Sequence, residues 1–356
     1  MSRKRTRRQF LALTGLAGVS ALAGCGGDGG DGTPEDGGGT PADGDGTPAD
    51  GEDGTPADGG ATRLSWHAGG TGGTYFPLSN EIKTIVDANT DFTLIVQSTG
   101  ASVENVGSLA SGDADFALIQ NDIAFFAKNG TGIDTFQGNP IESLRGVATL
   151  YPETITIVTL EGTGITSLSD LEGATINTGD LGSGTQVNAL QILSAVGIEE
   201  GDFDEQNASF SQAADQLRNG DIDAAFVVGG WPVGAIEDLA NTNDIVIVPV
   251  EGDNRETVKD AASWFADDTI PGGTYSGVEA DVETVAVQAM IATRADLPAA
   301  TVEAVTGAIF DNVDQLSLKT DFISRESAQD GMSIELHEGA ASYFGTEAGM
   351  DTTPEA

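Results

Sequence analysis

The sequence predicts an α/β protein of two similar lobes. Short apolar runs of strand character alternate with stretches of helical spacing. The order β-α-β-α-β-α appears before residue 150, and a second, similar unit follows it. Such an order implies mainly parallel sheets with helices on both faces. About 290 residues follow the N-terminal region, enough for two modest domains.

Residues 1–24 read as an export signal. Arg3, Lys4, Arg5, Arg7 and Arg8 precede an uncharged apolar stretch of about 13 residues, too short to span a membrane. Thr6-Arg7-Arg8-Gln9-Phe10-Leu11 resembles a twin-arginine signal; an ordinary secretory signal with two adjacent arginines is the alternative. Leu22-Ala23-Gly24-Cys25 resembles a lipobox, which makes Cys25, the only cysteine, a lipid attachment point rather than half of a disulfide within the monomer.

Residues 25–61 carry a repeated Gly-Thr-Pro-Ala-Asp-Gly motif, as in Gly39–Gly44 and Gly54–Gly59. This composition cannot bury a core and reads as a flexible tether above the membrane. Residues 346–356 read as a tail.

The first strand, Leu64–Ala68, runs into the glycine-rich turn 69–74, and helical spacing follows over Phe76–Val86. Phe92–Gln97 is a strand, Val103–Leu109 a helix, Asp115–Gln120 a strand and Ile123–Ala127 a helix. The second unit opens with the strand Thr154–Leu160, a helical turn at Leu168–Leu171 and a strand at Ala174–Ile176. An amphipathic helix over Thr185–Val196, a helix at Ala213–Leu217 and strands at Ala224–Val228 and Ile245–Val250 flank a helix at Ile236–Ala240. Val282–Ala292 is apolar and extended, and Ala299–Val313 helical. Two lobes joined by crossings near 150–156 and 272–284 fit this order. Lobe 1 would hold 62–152 and 276–345, and lobe 2 would hold 153–275.

The 56 acidic and 15 basic residues give a formal charge of −41. Loss of the five leader cations takes it to −46, which repels nucleic acid and anionic lipid surfaces. Only five lysines occur. Adaptation to high salt accounts for the excess, because a Debye length near 3 Å at 1 M screens the self-repulsion; attraction of cationic ligands is the other reading.

In open α/β sheets ligands lie beyond the carboxyl ends of the strands. Here those ends carry Gly69–Tyr75, Gln97–Ser102, Gln120-Asn121-Asp122, Gly182-Ser183-Gly184-Thr185 and Gly229-Gly230-Trp231-Pro232. Glycines admit a ligand close to the backbone, and helix starts offer free N–H groups to anions. Each segment alone is also an ordinary turn or helix cap; their recurrence after strands in both units marks a site. Tyr75 and Trp231 are candidates for an aromatic wall, with packing as the alternative for the tryptophan. Asn129 and Asn207 head glycosylation sequons.

Catalysis and metal binding find little support. Two histidines, His67 and His337, and one cysteine make no usual zinc site, and no Gly-x-Ser-x-Gly elbow follows a strand. No cofactor is indicated. His67, at a strand end, is a ligand contact or a structural histidine.

Gly69–Leu78, Gln97–Asn105, Gly182–Thr185 and Gly229–Pro232 resemble, in order and spacing across almost all of 62–345, the TAXI family of solute receptors of tripartite ATP-independent periplasmic (TRAP) transporters. Phe76 departs from the family, where tyrosine is frequent. The resemblance implies a two-lobed periplasmic-binding-protein-like (type II) fold with a hinge and an interlobe cleft. It implies capture of a small anionic solute, such as a glutamate-like amino acid or a dicarboxylate, and delivery to an ion-gradient-driven TRAP permease. By motif match, Thr74, Tyr75, Ser98, Ser102, Gln120, Ser183, Thr185 and Trp231 line the cleft. Arg145, Arg255 and Arg294 are candidate countercharges, with surface placement the alternative. A receptor feeding a membrane sensor, an exported α/β enzyme and an anchored adhesion protein are the competing functions.

Overall fold

The computed structural model describes residues 61–346. The signal segment, Cys25, the repeat segment as far as residue 60 and the tail beyond 346 lie outside the described residues.

Lobe 1 begins with β1 (Thr62–His67), α1 (Tyr75–Asn89), β2 (Phe92–Gln97), α2 (Ser102–Ser111), β3 (Phe116–Gln120) and α3 (Asn121–Asn129). A single 17-residue strand, β4 (Leu144–Leu160), then leaves it. Lobe 2 holds β5 (Thr175–Asn177), α4 (Gly184–Ala195), β6 (Asp204–Gln206), α5 (Phe210–Asn219), β7 (Ala224–Val228), α6 (Gly234–Ala240), β8 (Ile245–Val248), α7 (Gly252–Ala261) and β9 (Ala266–Ile270). The chain returns through β10 (Val282–Arg294) and ends on α8 (Ala299–Phe310) and α9 (Glu338–Phe344) of lobe 1.

The main sheet path is β2-β1-β3-β10-β4-β7-β5-β6, with β8 beside β4 and β9 beside β10. Strands β1, β2 and β3 are parallel, as are β5, β6 and β7. β4 and β10 run antiparallel to each other and thread both lobes. Every residue of β3 and of β7 is buried, as expected of parallel strands covered on both faces. In lobe 1 one face packs Trp66, Leu78, Ile82 and Phe310, and the other packs Val106, Ile119, Phe126 and Met290. Lobe 2 does the same with Ile157, Ile192 and Phe226 on one side and Leu217, Val227 and Leu239 on the other.

Both crossing strands change partners at the hinge. β4 pairs with β10 through Thr154, then takes up β7 from Ile155. β10 pairs with β9 through Ala286 and reaches β3 only at Ala289. The β4–β10 register slips between Gln288 and Met290, and Pro152, which has no N–H for the ladder, lies opposite Gln288 beside this irregularity. The second crossing therefore falls at 286–289, beyond the 272–284 window. The cause is β9: its Asp267-Asp268-Thr269 has no apolar signature, yet it holds the first half of β10 in lobe 2. The first crossing strand also starts ten residues earlier than the sequence suggests.

Candidate functional site

The lobes meet along a seam lined by strand ends. The turn after β1 presses directly on lobe 2. The Ala235 N–H donates to the Gly72 carbonyl at 3.2 Å. A Cβ on Gly72 would come within 2.4 Å of Ser211 Oγ, and one on Gly73 within 3.3 Å of the Phe210 ring. The absence of side chains at Gly72 and Gly73 makes this approach close. Thr74 Oγ1 donates to the Gly230 carbonyl across the seam at 3.1 Å. Deeper in, Asn188 Nδ2 of α4 donates to Asp122 Oδ2 of α3 at 2.7 Å, both residues being buried. The two lobes are closed on each other.

Between them lies a cavity of about 110 Å³. Lobe 1 contributes the glycine turn, Thr74, Tyr75, Ser102 and Gln120, and lobe 2 contributes Asp180, Ser183, Thr185 and Ser211. Ser102 opens α2 and accepts a hydrogen bond from the Gln120 N–H at 3.2 Å. Ser183 caps α4 by accepting from the Gln186 N–H at 3.1 Å. Six of the eight motif residues thus converge: Thr74, Tyr75, Ser102, Gln120, Ser183 and Thr185.

Ser98 and Trp231 do not line this cavity. Ser98 Oγ donates to the Gly69 carbonyl at 2.9 Å and braces the glycine turn, lining a neighbouring groove at the seam instead. Trp231 stands at the seam outside the cavity. Its ring meets Phe322 edge-on at 6.1 Å, and its carbonyl accepts a hydrogen bond from Lys319 Nζ. Tyr75 and Trp231 therefore form no shared wall. His67 is buried at the end of β1 and does not line the cavity. The candidate arginines are held elsewhere by acids: Arg145 by Glu335, Arg255 by Asp267 and Glu283, Arg294 by Asp115 and Asp296. Asn207 Nδ2, the sequon nitrogen, donates to Thr178 Oγ1 and the Gly179 carbonyl.

Sequence reasoning missed the most unusual residue of the site. Glu153, on the hinge segment of β4, lines the cavity at 3 % exposure. Tyr151 Oη donates to its Oε1 at 3.0 Å, and Gln120 Nε2 lies 3.4 Å from Oε2. Burial raises its pKa to about 7, opposed by the hydrogen bonds it accepts. Burial likewise raises Asp122 to about 6 against the pull of Asn188. Burial lowers Lys319 to about 8, with Glu153 pulling the other way. An acid inside a hydrophobic strand was the available signal, but it is lost among 56 acids.

Among the described residues no cluster of His, Cys, Asp and Glu is arranged to hold a metal ion, and no helix is long and apolar enough to cross a membrane. No nucleophile–base pair faces the cavity among its lining residues. Its walls carry Ser and Thr hydroxyls, the Gln120 amide and the Glu153 and Asp180 carboxyl groups, and are suited to gripping a small polar molecule.

Fold and site together define a two-lobed protein of the periplasmic-binding type. The chain belongs to the NMT1-like family, which it matches over residues 67–349. The fold recurs in a structure from Bordetella bronchiseptica RB50, at 14 % identity and a TM-score of 0.50, over 81 % of this chain and 83 % of that one. A substrate-binding protein of an amino acid ABC transporter is 14 % identical with a TM-score of 0.43, over 73 % and 96 %. The alkanesulfonate-binding protein SsuA from Xanthomonas axonopodis pv. citri, bound to MOPS, is 12 % identical with a TM-score of 0.45, over 73 % and 80 %.

Proposed function

We propose that this protein is an extracytoplasmic solute-binding lipoprotein without enzymatic activity. It captures a small carboxylate-bearing solute, a glutamate-like amino acid or a dicarboxylate, by lobe closure. It delivers the solute to an ion-gradient-driven permease of the TRAP type, and Cys25 anchors it to the outer face of the cell membrane after twin-arginine export. The observation that carries this reading is the partly open cavity walled by both lobes, with a hinge of two strands beside it. Neither lobe alone surrounds a solute, so contacts from both sides stabilise the closed state.

The solute's acid group would be met without an arginine. Gly184 and Thr185 open α4, where the first amides have no partner inside the helix, and Thr74, Ser102 and Thr185 add hydroxyls. The family membership and the fold of the neighbours support a binding role, and the lipobox and the TAXI-like motifs support the anchor and the permease type. A thermal-shift screen in molar KCl with amino acids, dicarboxylates and sulfonates tests the reading. A bound solute raises the melting temperature according to RT ln(1 + [L]/Kd). A protein that shifts with no small solute is not a receptor of this kind.

A further inference from the structure

The hydrogen-bonding capacity of the cavity is lopsided. Gln120 Oε1 is buried and has no hydrogen-bond partner within the protein. Gln120 itself is only 2 % exposed. Its other amide atom is turned to Glu153, so Oε1 is left facing the first residue of α4, where a Cβ on Gly184 would lie 1.7 Å from it. Glu153 accepts from Tyr151 and Gln120, with the Tyr75 hydroxyl beside it as a third donor, which leaves one of the four lone pairs of an ionised carboxylate unmet. Buried acceptors are costly to leave unsatisfied. This corner of the cavity calls for donors.

The charge balance points the same way. The lining includes two carboxyl groups, Glu153 and Asp180, and no lysine or arginine. Lys319 feels Glu153 electrostatically, but its ammonium is given to the Trp231 carbonyl and it makes no ion pair with Glu153. A doubly anionic solute without a positive group would meet repulsion and no countercharge.

We infer that Glu153 and Gln120 form the subsite for a protonated amino group, so that the solute is a zwitterionic amino acid and not a dicarboxylate lacking nitrogen. An ammonium supplies three donors, matching Glu153 and Gln120 Oε1 with one to spare for Tyr75 Oη. The solute carboxylate then lies away from the buried acid. The inference rests on the cavity being the solute site. It adds Glu153 as the residue that sets specificity there, and it narrows the solute class left open above. The raised pKa of Glu153 fits: a solute cation would favour its ionised form and release a proton on binding wherever the carboxyl is partly protonated beforehand.

Matched pairs differing only in the amino group test it. L-Glutamate against glutarate and L-alanine against propanoate, with the other standard amino acids as a panel, are titrated calorimetrically into the full chain in molar KCl. An amino acid should bind about 30-fold or more tightly than its deaminated partner. Glu153→Gln should remove most of that preference while leaving the deaminated compound unchanged or improved. Gln120→Met, which deletes the free acceptor and keeps Glu153, should reduce the preference in the same direction and covers the case in which the first variant fails to fold. Equal binding of amino and deaminated partners, or a preference that survives both variants, overturns the subsite. A deaminated or sulfonate solute that binds when no amino acid does leaves the receptor reading intact and removes the amino subsite. A complete absence of binders removes both.

Discussion

Gly184 is the position where a single methyl group should separate closure from folding. It is the first residue of α4 in lobe 2, yet a Cβ there would lie 1.7 Å from Gln120 Oε1, 2.6 Å from Gln120 Cδ and 3.0 Å from Ser102 Oγ, all on lobe 1. The collision exists only when the lobes are together. Gln120 cannot swing aside cheaply, being buried with its amide against Glu153. Overpacking of this kind costs about 1–3 kcal/mol, which weakens solute binding about 5- to 150-fold. Within lobe 2 the change is benign, since the backbone at Gly184 is not left-handed and alanine is favoured over glycine in a helix by up to about 1 kcal/mol. Calorimetry with L-glutamate and thermal melting with and without it give the two readouts. Gly107→Ala on α2, whose Cβ meets nothing within 4 Å, is the control. Wild-type affinity in Gly184→Ala, or an equal loss of melting temperature with and without solute, would refute the reasoning.

Four further outcomes follow from the same contacts. Glu153 is raised from 4.5 to about 7 in the fold, so the solute-free protein holds more protons than its unfolded chain between those values. Its contribution to stability is intact below pH 4.5 and lost as pH rises through 7, about 3 kcal/mol in all; urea melts across that range should show the trend, and Glu153→Gln should reduce it to the part that Asp122 contributes up to about pH 6. Asn188→Ala leaves the buried Asp122 carboxylate without its cross-lobe donor and should weaken L-glutamate binding by about 1–3 kcal/mol, read by calorimetry. Ser183→Ala removes the α4 cap and should lower stability by about 1 kcal/mol as well as affinity; a variant that melts and binds like wild type contradicts this. Ala101, next to the cavity, has φ 70 and ψ −140, a conformation suited to glycine; Ala101→Gly should stabilise the protein by about 1 kcal/mol, and a lower melting temperature would show that the backbone there is not strained.

What the sequence reveals is governed by burial. The Phe116–Gln120 and Ala224–Val228 runs are legible because both faces of those strands are covered, so four and five apolar or small residues, respectively, stand in a row. Helix α1 is legible because Leu78, Ile82, Ile85 and Val86 line one face. By contrast, α7 buries only Val258, and β6 and β9 lie at sheet margins with acidic residues, so none carries a periodic apolar signal. The first half of β4 is hidden by Gly146 and Pro152, residues that disfavour strands in general but sit here against Met332 and beside the register slip. At the site, the strand ends rich in Gly, Ser and Thr marked the segments, and the family resemblance named the eight residues, six of which line the cavity. Trp231 sits just past a strand end as they do, but its side chain turns to Phe322 and Lys319, a direction set by tertiary packing alone. Glu153 belongs to no strand-end motif, because the hinge strand and not a turn delivers it.

The proposed function requires two lobes to shut over one small molecule. Trp264 of lobe 2 meets Phe126 of lobe 1 edge-on at 4.7 Å, a contact that parting of the lobes is expected to alter. The decisive measurement is a titration of L-glutamate and the other standard amino acids in molar KCl, following heat and tryptophan emission together. The expected result is one solute per chain, with an emission change that saturates with the heat and shrinks in Trp264→Phe. Saturating heat with unchanged emission would contradict closure, and the absence of both signals across the panel, dicarboxylates and sulfonates included, would contradict the binding role itself.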